Sequence, residues 1–257
     1  MRERLRALAI EADARATTEL VLARLWRDLA RGLSTTIDAF FSKERCYLIL
    51  ADQLPGSAQP LEARRLEIIE AILGGSRQKN IAIDLNVAPS TVALKSKCAL
   101  ESLGAIGKPS RSHPLLMLAA RAAAEGEDWT ARVANFLIYD ERKLRVVSIP
   151  HPECQLADSL PTAEREVSRR LIEGFSYKQM SEERGTSVRT IANQVSAVFG
   201  RLGVSGRNEL VQHLLSASCP QTLPPPASSP QPLTPPAQAD GVADSVRDLP
   251  SEARRSA

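Results

Sequence analysis

LPTAEREVSRRLIEGFSYKQMSEERGTSVRTIANQVSAVFGRLGVSGRNELVQHLL, residues 160–215, decides how this chain is read. An apolar-periodic segment with a charged outer face ends at Gly174, and a shorter one ends at Gly185. Val167, Leu171 and Ile172 form the inward stripe of the first helix, which Thr162 is placed to cap, with Arg165 at the capping-box position. Met180 is the expected buried residue of the second helix. Gly185 falls where the chain must reverse, and glycine accepts positive φ without steric cost. Ser187 then caps a longer helix on which Ile191, Val195, Val198 and Leu202 recur at helical spacing as the core face. A last helical run begins at Gly206.

Helix, short helix, tight glycine turn and helix is the order of a helix-turn-helix unit. The periodicity leaves Arg189, Thr190, Ala192, Asn193, Gln194 and Ser196 nearer the outer side of the third helix. Asn and Gln can bond bidentately to adenine in the major groove. Hydroxyls and arginine at a helix start suit phosphate oxygens. From Gly185 to Arg207 the only charges are basic: Arg189, Arg201 and Arg207.

The segment resembles the LuxR/GerE family of helix-turn-helix domains. The residues that carry this are Leu160, Thr162, Glu164 to Val167, Glu173, Gly174, Lys178, Met180, Arg184, Gly185, Ser187, Arg189 to Ile191, Asn193, Val195, Leu202 to Val204, Arg207 and Leu210. They match without a gap over about 55 residues. The resemblance implies a four-helix domain whose third helix, about 188–202, enters the major groove and whose fourth helix pairs two protomers. It assigns DNA contact to Ser187, Arg189, Thr190, Asn193, Gln194 and Ser196, with Lys178 and Arg207 on the phosphate backbone. Ala192, Gln194 and Ser196 are uncharged where relatives carry basic residues or histidine.

The chain contains this pattern twice. Residues 61–103 align with the later stretch at a slide of 99 positions: Gly75 meets Gly174, Lys79 meets Lys178, Thr91 meets Thr190 and Gly104 meets Gly203. Such self-similarity marks an internal repeat. Asn86 replaces Gly185 at the turn and is the next best residue for positive φ. Pro89 falls at a first helical position, where proline is favoured. Ser90, Thr91, Lys95 and Lys97 are a candidate second DNA-contacting set, on a helix that also presents Leu94 and Ser96. Two roles stay open for this first unit: a second DNA contact, or a packing and dimerisation module. Residues 37–51 and 133–149 each read as a β-hairpin ahead of a helical unit. A lone hairpin is marginal in water, so the two are expected to pair or to pack on their own units.

Residues 1–33 read as helical, with Leu20, Val21, Leu22, Leu25, Trp26 and Leu29 as an apolar stripe. About half of the prolines lie beyond Ser218, a composition that favours disorder. The 257 residues carry a net charge of only +3, which excludes coating of nucleic acid by bulk charge. Four single cysteines give no zinc spacing or disulfide framework, and His151-Pro-Glu-Cys154 lacks two further ligands. No secretory core and no long apolar run is present, so a cytoplasmic protein off the membrane is expected.

The expected fold is mainly α: tandem four-helix LuxR-type units, each preceded by a short β-hairpin, with an N-terminal helix and a disordered Pro-rich tail. The expected divisions are an amphipathic helix at 1–36, hairpin plus degenerate unit at 37–125, linker with hairpin at 126–159, DNA-binding domain at 160–217 and tail at 218–257. The expected function is a bacterial-type DNA-binding transcriptional regulator, not an enzyme, with no catalytic residues, cofactor or metal. The alternative is an adaptor or co-regulator that keeps the fold without reading DNA. Expected partners are double-stranded DNA, a second copy through Leu210, Val211, Leu214 and Leu215, and RNA polymerase.

Overall fold

The two hairpins pair with each other. In the computed structural model, which describes residues 1–54, 56–105, 113–137, 143–156 and 160–217 apart from the side chains of 154, 155 and 217, β2 (Ser34–Phe41) and β3 (Arg45–Asp52) form the first hairpin. β4 (Thr130–Leu137) and β5 (Lys143–Pro150) form the second. β3 and β5 join them antiparallel, and β1 (Thr18–Val21) adds to β4, giving one antiparallel sheet of order β1-β4-β5-β3-β2. Pairing is one of the two arrangements expected for the hairpins, but the expectation of a mainly α chain is corrected: this is an α/β fold with a five-stranded sheet. Two marginal hairpins gain stability by sharing a central ladder and two covered faces.

The β3–β5 register contains a local symmetry. Leu48 pairs with Val147 and Ile49 with Val146, while Arg45 pairs with Pro150 and Ala51 with Leu144. The two strands hold the same place in the repeat and are each eight residues long. The ladder pairs Leu48 with Val147, the same two residues that the 99-position slide brings together.

Alternation divides the sheet faces. Cys46, Leu48, Leu50, Val147 and Ile149 face the main core. Tyr47, Ile49, Leu144 and Val146, with Phe40, face α1 (Arg2–Ala14). α1 buries little apolar surface and is clamped at both ends. Arg2 and Arg6 bind the buried Asp38 carboxylate of β2. Burial alone would raise that carboxyl's pKa; the hydrogen bonds from Arg6 and Arg2 outweigh it and hold Asp38 below its ordinary value. At the other end Asp13 accepts from Ser148 Oγ at 2.6 Å and lies 3.3 Å from the Arg45 guanidinium.

Residues 1–36 are therefore not a single helix. α1 is followed by β1, where Leu20 and Val21 lie in a strand, and then by α2 (Leu22–Ala30). Leu22, Leu25, Trp26 and Leu29 bury against α6 (Pro114–Glu125). Within the span expected as a linker with a hairpin, that hairpin is β4–β5, built into the sheet, and a 3₁₀ turn, Pro152–Leu156, follows it.

The helical repeat is present in the backbone. α3 (Ala63–Leu73), α4 (Gln78–Asp84) and α5 (Pro89–Ser102) correspond to α7 (Thr162–Ile172), α8 (Tyr177–Arg184) and α9 (Val188–Leu202). Positive φ recurs at equivalent positions: Gly75 and Gly174 at 94° and 91°, Asn86 and Gly185 at 50° and 59°, Gly104 and Gly203 at 72° and 66°. The turn hydrogen bonds repeat too, Val87 N to Ala82 O at 2.9 Å and Thr186 N to Ser181 O at 3.0 Å. Pro89 opens α5 as expected. Thr162 does not cap α7: the N-cap is Pro161, and no side chain bonds there.

The fourth helices, α6 and α10 (Arg207–Ala217), pack on each other. Leu210, Val211, Leu214 and Leu215 are all buried within the chain, beside α6, α7 and the 3₁₀ turn. The stripe expected to join two copies is thus buried within the chain's own core. Cross-unit bonds add to this contact: Arg121 to Ser216 Oγ at 2.8 Å, and Arg77 to Glu209 at 3.0 Å. The described residues form one compact unit. The expected Pro-rich tail lies outside the described residues. No helix among the described residues is long and apolar enough to cross a membrane.

Candidate nucleic-acid interface

α8, the turn at Gly185 and α9 form the candidate surface. Ser176 opens α8 with a reciprocal capping box: its Oγ accepts from Gln179 N, and Gln179 Oε1 accepts from Ser176 N at 3.0 Å. Met180 fills the core beneath α8. Gly185 ends the helix in the left-handed region, with open space where a Cβ would stand. Ser187 caps α9 by accepting from Thr190 N at 3.0 Å, and the two hydroxyls lie 2.9 Å apart. This cap fixes the direction in which α9 leaves the turn.

Ile191, Val195 and Val198 bury one face of α9. Arg189, Asn193 and Ser196 stand exposed on the opposite face, at helical spacing. The Arg189 guanidinium makes no hydrogen bond or ion pair among the described residues. No acid lies on α9, and the acids of α7 and α8 are drawn into pairs within the unit. Glu164 is 3.3 Å from Arg201, Glu166 is 3.7 Å from Arg184, and Glu173 is 2.9 Å from both Arg169 and Arg170. Arg170 also holds Glu183. The acids ahead of the Gly185 turn are therefore locally neutralised, and Arg189, at the start of α9, is paired with none of the described residues.

Four assigned residues are placed otherwise than the sequence suggests. Gln194 is half-buried, its Oε1 enclosed without a hydrogen-bond partner. Arg207 donates to the Phe175 carbonyl at 2.6 Å, and burial depresses its pKa. Its guanidinium fastens α10 to the α7–α8 loop and is not presented to a phosphate backbone. Ser187 and Thr190 are exposed, but their hydroxyls are engaged with each other. Lys178 is exposed, with Glu182 at 3.8 Å. Tyr177, exposed beside it at the start of α8, is not singled out by the sequence pattern; its signal is the Ser176-x-x-Gln179 box that encloses it.

In the first unit Ser90 and Lys97 are exposed and Thr91 is half-buried, while Ser96 is fully buried and presents nothing. Lys95 lies 3.6 Å from Glu62, and Lys97 lies 3.8 Å from Glu101. His151 is buried, and its Nδ1 accepts from Glu153 N at 3.1 Å.

No protein-family model, curated protein or solved structure matches this chain.

Proposed function

We propose that this chain is a sequence-specific double-stranded DNA-binding regulator of transcription, with α9 entering the major groove. The observation that carries the reading is the open, acid-free stripe Arg189–Asn193–Ser196 behind the capped glycine turn. Asn193 is the base reader, with the amide geometry that pairs with adenine N6 and N7. Arg189 meets guanine or phosphate, and Lys178 on α8 meets the backbone. Gln194 and Arg207 support the surface from behind.

Selection of bound sequences from a random duplex pool, using the full chain, tests this. An enriched sequence is expected, with affinity falling steeply as salt is added, through counterion release. Asn193→Ala is expected to cost about 1–3 kcal/mol and to relax one base position. Recovery of no enriched sequence, or an Asn193→Ala variant with unchanged preference, overturns the reading in favour of an adaptor.

A further inference from the structure

We infer that α5 is a second duplex-reading helix, and that Leu94 recognises the C5-methyl group of thymine. This rests on the DNA-reading role proposed for α9. Three observations carry it. First, the turn leading into α5 has the same backbone as the turn leading into α9, with Asn86 at φ 50° where Gly185 has 59°. Second, α5 exposes Ser90, Leu94 and Lys97, which stand in register with Arg189, Asn193 and Ser196. The exposed stripe is conserved in place between the copies while its chemistry differs. Third, Leu94 is 62% exposed in the position of the base-reading Asn193.

An apolar side chain in that position cannot read adenine, and the group it fits in the major groove is the thymine methyl. Lys79, exposed on α4, stands where Lys178 stands in the second unit and suits the phosphate backbone. Lys95 is turned toward Glu62, as Gln194 is turned inward, so both copies keep that position off the reading stripe. The acids nearby are Glu101, engaged with Lys97, and Asp84, exposed at the end of α4. Ile83 is also exposed, at 76%, and lies on α4 rather than on the reading stripe.

The test uses the duplex selected by the full chain, with thymines replaced one at a time by deoxyuridine, which removes only the methyl group. At thymines of a second half-site the affinity is expected to fall about fourfold, the value of one buried methyl. In Leu94→Ala the same replacements should have no effect, and Leu94→Asn should move the preference at that position from thymine to adenine. Asn193→Ala should leave the deoxyuridine effect intact while relaxing its own adenine position. Because Leu94 is exposed, both Leu94 variants should keep the circular dichroism spectrum of the parent. A selected site with one half only, bound equally by Leu94→Ala, overturns the inference and leaves α9 as the sole reader. A Leu94→Ala variant that loses a bound protein without changing DNA affinity also overturns it. No selected sequence at all removes the α9 reading and this one with it.

Discussion

Residues 63–105 and 162–204 turn at the same three positions with nearly the same φ angles, yet they are stabilised differently. The second unit fastens its helices with side chains: the Ser176–Gln179 box on α8 and the Ser187 cap on α9. The first has Arg77 and Ala88 at those places, and neither provides a side-chain cap. Ile68, Ile72, Ile81, Ala82 and Val92 form a small core private to the first unit. The matching residues of the second, Val167, Leu171, Met180 and Ile191, are continuous with the main core. A duplicated backbone can thus be retained while caps, surface and core connections diverge. The positive-φ turns hold the common geometry, because few residues substitute there.

Equivalent core truncations test whether the two units share one fate. Leu73 and Ile172 occupy matching positions and both lie in the main core. Leu73→Ala and Ile172→Ala are each expected to cost about 2–5 kcal/mol. Urea denaturation should show one transition in both variants; two separate transitions would break the account of a common core.

Acid pH should act on the seam between the units. His113, at the N-cap of α6, and His151, ahead of the 3₁₀ turn, flank the Phe41 ring at 5.1 and 5.6 Å. Burial, with the charge of His151 next, pushes His113 down to about 3; burial, with the Arg169 charge next, pushes His151 down to about 4. The unfolded imidazole titrates near 6.5, so on acidification the unfolded chain takes up protons first. Stability is therefore complete above about pH 6.5 and is lost as pH falls toward 4. Urea midpoints between pH 7.5 and 4.5 should follow this decline, and His151→Gln should flatten it.

Exchanging caps between the units should shift stability in opposite directions. Ser187→Ala should destabilise by about 0.5–2 kcal/mol, and Ala88→Ser should stabilise by a similar amount if its hydroxyl reaches Thr91 N. Thermal melts give both values. The smallest effect is at the turn. Gly185→Ala has room for its Cβ but adopts φ 59°, at a cost of about 1 kcal/mol. Gly185→Asn, which installs the first unit's residue, should cost less, and an equal loss would show that Asn86 is not an adequate substitute.

The helix-turn-helix repeat was legible because glycine, Asn86 and the capping serines are local signals with a fixed spacing. The sheet was not, because β3–β5 pairing joins residues about a hundred positions apart, and no local pattern specifies which edges meet. Leu20 and Val21 continue the helical spacing of Leu22, Leu25, Trp26 and Leu29, and pairing of β1 with β4 overrides that pattern. The docking of α1 depends on Asp38 and Asp13 finding distant arginines. On the candidate surface, periodicity separated Asn193 from the core face but could not show that Gln194 turns inward. Nor could it show that Arg207 is spent on Phe175, or that the apolar stripe of α10 is covered by α6.

That last contact is the centre of the account: one chain folds on itself where two copies were expected to meet, and does so while leaving α9 open. Native mass spectrometry of the full chain with its selected duplex tests this most directly. The predicted species is one 27.9 kDa chain per duplex, with the free protein a monomer at all concentrations. Two chains per duplex, reduced to one by Leu214→Asp or Leu215→Asp in a protein that stays folded, would contradict it.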